Sequence, residues 1–166
     1  MTGADLLVDA FGRVRQSVHR VVEDLTPEQL AFRVDDGANS IAWLVWHLTR
    51  IQDDHVADAA GSTQVWHSGW SGRFALPFDE SDTGFGHSSE DVAAVRVESP
   101  ALLTDYLDAV HERTVDYVSG LSDPDFDRIV DTRWDPPVTL AARLVSVVND
   151  DMQHVGQAAF VRGVLA

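Results

Sequence analysis

Asp150-Asp151-Met152-Gln153-His154-Val155-Gly156-Gln157 is the stretch whose residue types and spacing fit chemistry best. Asp150 and His154 are four residues apart, so a helix sets them one turn apart on one face. A carboxylate and an imidazole beside an apolar run are costly unless something satisfies them. A divalent cation would do so. His47, in Trp43-Leu44-Val45-Trp46-His47-Leu48, is the candidate third ligand. Two histidines and one carboxylate leave coordination positions open for water or substrate, as catalytic zinc sites do. Iron or nickel suits the same donors. Asp151 competes with Asp150 for the carboxylate role, being also within a turn of His154. On spacing alone, a solvated helix edge explains the Asp-x3-His pair more simply than a metal does.

These residues must be positioned by helices. Leu7, Phe11, Val14, Val18, Val21 and Leu25 recur at three- and four-residue steps, which predicts a first helix from about Ala4 to Leu25. Thr26-Pro27 starts a short helical turn. Asn39 or Ser40 caps a helix that runs to about Ala60 and stops at Gly61. Residues 61–98 are irregular but aromatic, which predicts a packed crossover that helps wall a pocket, with a short helix near Asp91. Ser99-Pro100 opens a helix that ends at Gly120. Ser122 to Pro137 is a loop whose Phe126, Ile129, Val130 and Trp134 are expected to pack back on the bundle. Thr139 caps the last helix, to about Val164. Four amphipathic helices with no alternating strand pattern predict an all-α four-helix bundle, one domain over residues 1–166. Simple up-down-up-down order does not follow, because one or both long connections can cross the bundle.

Composition narrows the function. The formal net charge is −15, and no basic cluster stands against it, which argues against nucleic acid. No run reaches membrane-span length, and a secretory signal pattern is missing, so a cytoplasmic protein is expected. There is no Cys, hence no thiolate ligand and no thiol nucleophile of the chain's own. All 12 basic residues are Arg, in keeping with a GC-rich, actinobacterial genome.

Two segments resemble the DinB-like superfamily, and within it the mycothiol transferase branch, related to the mycothiol-dependent maleylpyruvate isomerases. They are Ser40-Ile41-Ala42-Trp43-Leu44-Val45-Trp46-His47-Leu48-Thr49-Arg50 and Asn149-Asp150-Asp151-Met152-Gln153-His154-Val155-Gly156-Gln157 with the Ala158–Gly163 that follows. The superfamily pairs His-Leu on one helix with ligand-x3-His-x-Gly-Gln on another. The resemblance implies a DinB-like bundle with His47, Asp150 and His154 as first, second and third metal ligands. Asp150 departs from the pattern, since relatives carry His or the longer Glu there. It further implies a divalent metal (zinc first, nickel or iron as alternatives), mycothiol as thiol cosubstrate, and a small electrophile as acceptor. The alternative is a metal- or small-molecule-binding stress protein without catalysis. Homodimers occur in the superfamily.

Around the ligands, Arg143 and Arg162 are candidates for holding an acidic group of thiol or substrate. Arg50 reads as a surface or interface residue. Trp66, Trp70 and Trp134 are candidates for lining the pocket, core filling being as good an account of each. Gln157 is a candidate either to orient His154 or to close the helix packing. His55 reads as a boundary histidine; His19, His67, His87 and His111 read as exposed.

Overall fold

The computed structural model describes residues 1–165. Four long helices carry it: α1 (Gly3–Val22), α3 (Ile41–Ala60), α6 (Pro100–Ser119) and α7 (Leu140–Leu165), with short helices α2 (Pro27–Leu30), α4 (Trp70–Phe74) and α5 (Ser89–Ala94) between them. Local chemistry sets the boundaries. The Ser40 hydroxyl accepts from the Trp43 amide at the start of α3, and Gly61 ends it at φ 64° in the left-handed region. The expected first helix is shorter than its apolar pattern: it stops at Val22, and Asp24 takes φ 60°. Leu25 is buried beyond the helix end.

α3 and α1 each pack on both α6 and α7, so α1 lies diagonally across from α3. His47 and His55 of α3 face His154 and Arg143 of α7 respectively, which makes that pair antiparallel. Arg15 and His19 meet Asp108, while Glu23 at the end of α1 lies near Pro100 at the start of α6, so α1 and α6 are antiparallel too. Arg50 meets Tyr106 and Ala59 meets Tyr117, so α3 and α6 run parallel. In chain order the bundle is up-down-down-up. Parallel neighbours cannot be joined by a tight hairpin, and residues 61–99 make the required return crossing. That crossover contains a 3₁₀ turn at Val65–His67 along with α4 and α5.

One element was not legible in the sequence. After a 3₁₀ turn at Asp123–Asp127, β1 (Ile129–Asp131) pairs antiparallel with β2 (Val138–Thr139). Ile129 and Trp134 do not pack on the bundle as expected; Trp134 is 67% exposed. The hairpin instead buries Asp131, whose carboxylate accepts from Arg133 and Arg143. Phe126 and Val130 do pack inward.

Candidate metal centre

α3 is buried on every side from Ile41 to Arg50, because α6, α7 and the crossover all pack against it. His47 therefore sits among apolar groups, 5% exposed, with Trp43 stacked on its ring at 4.5 Å and an interplanar angle of 14°. On α7, Val147, Asp151, Val155 and Ala158 face the core, and Asp150 and His154 fall on the flank that meets α3. One ligand atom each from His47, Asp150 and His154 lies within 4.8 Å of the others. The His47 and His154 rings meet edge to face at 4.8 Å.

Hydrogen bonds fix which nitrogens are free. His47 Nδ1 lies 2.5 Å from the Thr83 carbonyl oxygen, which can only accept. Nδ1 therefore donates and Nε2 keeps its lone pair. His154 Nδ1 lies 3.2 Å from Gln157 Oε1 and donates to it in the same way. His154 Nε2 is 3.5 Å from Asp150 Oδ1. Two ligands about 2.1 Å from a tetrahedral ion stand about 3.4 Å apart, so this separation suits two ligands of one cation. Asp150 Oδ2 is buried without any partner among the described residues. Two imidazole nitrogens and an unsatisfied carboxylate oxygen fit a small divalent ion.

Burial holds the His47 pKa below the usual histidine value, with the Thr83 bond opposing it. His47 is thus neutral and ready to ligate near neutral pH. Burial pushes Asp150 up, but His154 and His47 outweigh it and the net shift is downward. Burial likewise pushes His154 down, and the neighbouring Asp150 carboxylate turns the net shift upward. Each of these last two groups thus favours its partner's charged form.

Asp151, the rival carboxylate, lies outside the three-residue cluster. It is 0% exposed, points into the bundle, and both its carboxylate oxygens lack partners among the described residues. Burial, then the Asp150 charge, raises its pKa well above the ordinary value. A carboxyl whose folded pKa exceeds its unfolded one stabilises most below the unfolded value, about 3.9, and loses that contribution as pH rises toward the folded pKa. Asp151→Asn is therefore expected to flatten the decline in stability of the metal-free protein from pH 4 to neutrality. Urea denaturation across that range is the measurement. An unchanged pH profile would count against the assignment.

The crossover supplies a support for His47 that sequence reasoning missed. Asp82 Oδ1 accepts from the Gly84 amide at 2.7 Å. His87 Nε2 lies 3.1 Å from both Asp82 oxygens, and His87 Nδ1 accepts from Trp43 Nε1 at 3.1 Å. His87, expected to be exposed, is thus a buried strut, its side chain 6% exposed. Gly84 has φ 90°, and a Cβ there would lie 2.9 Å from Trp46 Cζ3 and 3.0 Å from His47 Nδ1. Backbone strain of this kind costs on the order of 1–3 kcal/mol. Loss of an outer hydrogen bond to a ligating histidine costs about 10–100-fold in metal affinity. Gly84→Ala is expected to weaken metal binding by that factor, read by competition with a chromophoric chelator. The available signal was the Asp82-Thr83-Gly84 turn composition, but nothing in it pointed to His47.

The other candidates are placed as follows. Arg143 Nη1 is 2.6 Å from His55 Nδ1, and its Nη2 donates to Asp131 Oδ2 at 2.9 Å. His55 and Arg143 line a polar cavity of about 320 Å³ with Asp54, Asp58, Gln64 and Arg133, two helical turns along the α3–α7 seam from His47 and Asp150. Arg162 donates to the Val21 and Glu23 carbonyls and so closes the end of α1. Trp66 is buried, with the Arg50 guanidinium over its ring at 4.8 Å, and connects to His47 through Trp46, His87 and Trp43. Trp70 packs on Tyr106. Arg50 is no surface residue: it is 0% exposed and bonded to Gln64 and the Asp82 carbonyl. His19 bonds Asp108, and His111 is part-buried with Nδ1 unpaired.

The fold and site define a four-helix bundle with a candidate two-histidine, one-carboxylate metal centre. The chain belongs to the DinB superfamily, whose family model matches residues 10–158. Comparison with curated proteins finds no match. Among solved structures it resembles a conserved protein of Enterococcus faecalis at 29% identity, TM-score 0.91, covering 98% of this chain and 96% of that one. It also resembles YfiT of Bacillus subtilis, described as a probable metal-dependent hydrolase with an unusual four-helix bundle topology. That likeness is 19% identical, TM-score 0.65, over 98% of this chain and 87% of the other, and concerns the fold. No helix among the described residues is long and apolar enough to cross a membrane.

Proposed function

We propose that this protein is a metal-dependent thiol transferase. His47, Asp150 and His154 would hold a divalent cation, zinc in first place with nickel or iron as alternatives, and mycothiol would be the thiol passed to a small electrophile. The observation that carries the reading is the convergence of three ligand atoms within 4.8 Å beside an unpartnered Asp150 oxygen, in a chain with no cysteine of its own. The cation, when bound, supplies Lewis acidity that lowers the pKa of a thiol or water at its open position. The chain's residues do the rest. Two neutral imidazoles and one carboxylate leave a bound dication with a net positive charge, which favours an anionic nucleophile over a neutral one. Trp43 covers one face of His47, and Thr83 and Gln157 hold the two imidazoles in the Nε2-ligating tautomer. In the transfer a carbon–sulfur bond forms, the leaving group departs with its bonding pair, and the thiol proton goes to solvent. Arg143, which lines the cavity at the polar end of the seam, would meet an acidic group of the thiol or substrate.

A hydrolase is the second reading, favoured by the description of YfiT. One assay separates them. The zinc-loaded protein is given mycothiol and an alkylating electrophile, and in parallel an activated ester without thiol. Metal-dependent loss of free thiol with conjugate formation supports transfer. Ester cleavage alone replaces it with hydrolysis. Neither reaction, in protein that retains metal, leaves a binding protein.

A further inference from the structure

The α3–α7 seam is chemically asymmetric about the metal ligands. Toward the Arg143 end it is polar, as described above. Toward the other end lies a cavity of about 500 Å³, lined mainly by Val34, Leu44, Gly156, Gln157, Phe160 and Val161. Because the helices are antiparallel, Leu44 (one turn before His47) and Gln157 (one turn after His154) fall on the same side of the centre. Gln157 joins the two sites directly, since its Oε1 accepts from His154 Nδ1 while its side chain borders the cavity.

We propose that this cavity, which shares Gln157 with the candidate metal centre, takes the apolar body of the electrophilic substrate. The class of ligand is a small, uncharged hydrophobic molecule; calling it the electrophile rests on the transferase reading. Three observations converge on it. Phe160 is 67% exposed and Val34 41% exposed at the cavity, on a chain of net charge −15. Among the described residues no charged side chain lines the cavity, its polar side chains being those of Asn39 and Gln157, whereas Arg, Asp and His line the cavity at the opposite end. Gly156 lies inside α7, where glycine is the least favourable choice after proline, and no atom of the chain outside its own helix backbone and neighbours lies within 4 Å of where its Cβ would be. Packing within the chain does not demand that glycine. Its missing side chain keeps the wall of the cavity open, and the volume falls within the range of small-molecule sites.

The test begins with the full chain, metal-free, titrated with N-phenyl-1-naphthylamine, a neutral hydrophobic fluorophore with no reactive group. Saturable binding of about one equivalent is expected. Gly156→Leu, which fills the cavity, and Phe160→Asp are each expected to weaken binding at least tenfold while circular dichroism and thermal midpoint stay at or above wild type for Gly156→Leu. Val145→Asp alters another exposed apolar residue of α7, outside the cavity, and is expected to change nothing. Absence of saturable binding, retention of it in Gly156→Leu, or equal loss in Val145→Asp overturns the proposal. A second arm uses the zinc-loaded protein with mycothiol and a homologous series of alkyl electrophiles. KM is expected to fall about three- to fourfold per added methylene, and the trend to vanish in Gly156→Leu. A flat series in an active enzyme overturns the electrophile assignment. Failure of all turnover with the probe still bound at this cavity removes the transferase reading and leaves an apolar-ligand site.

Discussion

His154→Ala is expected to lower affinity for zinc by more than about 100-fold, beyond the loss typical of removing an outer-shell partner. Three protein donors converge on the site, so removing one leaves two, too few to dehydrate a divalent ion and hold it tightly. The remaining Asp150 would then keep a part-buried carboxylate with no imidazole beside it, since His154 is the partner that lowers its pKa most. Elemental analysis of the purified variant should find little metal after dialysis, against about one equivalent in the wild type. Thermal unfolding gives an independent readout. A ligand at about 1,000 times its Kd stabilises by roughly 4 kcal/mol, and that increment should appear for wild type with zinc and be missing in the variant. Undiminished zinc affinity in His154→Ala would remove the site from consideration, whatever the fold of the relatives.

Asp53→Ala should be the most damaging single substitution for stability. Asp53 accepts from the Val65 and Trp66 amides and from the Tyr106 hydroxyl, each at 2.8 Å, and lies 3.8 Å from the Arg50 guanidinium. Both side chains are almost wholly buried, at 4% and 0% exposure for Asp53 and Arg50. Removing one member of a buried ion pair leaves the other charge without compensation, at a cost of about 3–5 kcal/mol. Two backbone amides of the crossover lose their acceptor as well. Urea unfolding should show the loss. The effect should also reach the metal centre, because Arg50 Nε donates to the Asp82 carbonyl next to Thr83. A second variant, Asp53→Asn, keeps the shape and is expected to lose less stability. A loss below about 1 kcal/mol for Asp53→Ala would show that the network is solvated rather than buried.

The two substitutions probe parts of the molecule that differed in legibility. The candidate ligands were legible because helical spacing is a local rule: Asp150 and His154 share a face whatever surrounds α7. Helix boundaries followed from equally local chemistry, as at Ser40, Gly61 and Pro100. The Asp53–Arg50 network was not legible, since Arg50 reads as a surface residue until the crossover folds over it. His87 reads as exposed for the same reason. The β1–β2 hairpin escaped because a three-residue strand has no usable period, and what holds it is the Asp131 contact with Arg143, a residue 12 positions away.

The sequence by itself determined the helices, the bundle class and the residues able to ligate, because hydrophobic period and capping act within a few residues. Tertiary structure alone decided that α3 and α7 are antiparallel neighbours that bring His47 to His154. It decided that Asp150 rather than Asp151 faces that junction, because Asp151 lies on the core side of the same turn. It also decided that Thr83, far away in a loop, orients His47. Such pairings arise from packing between segments distant in the chain, and no local spacing encodes them.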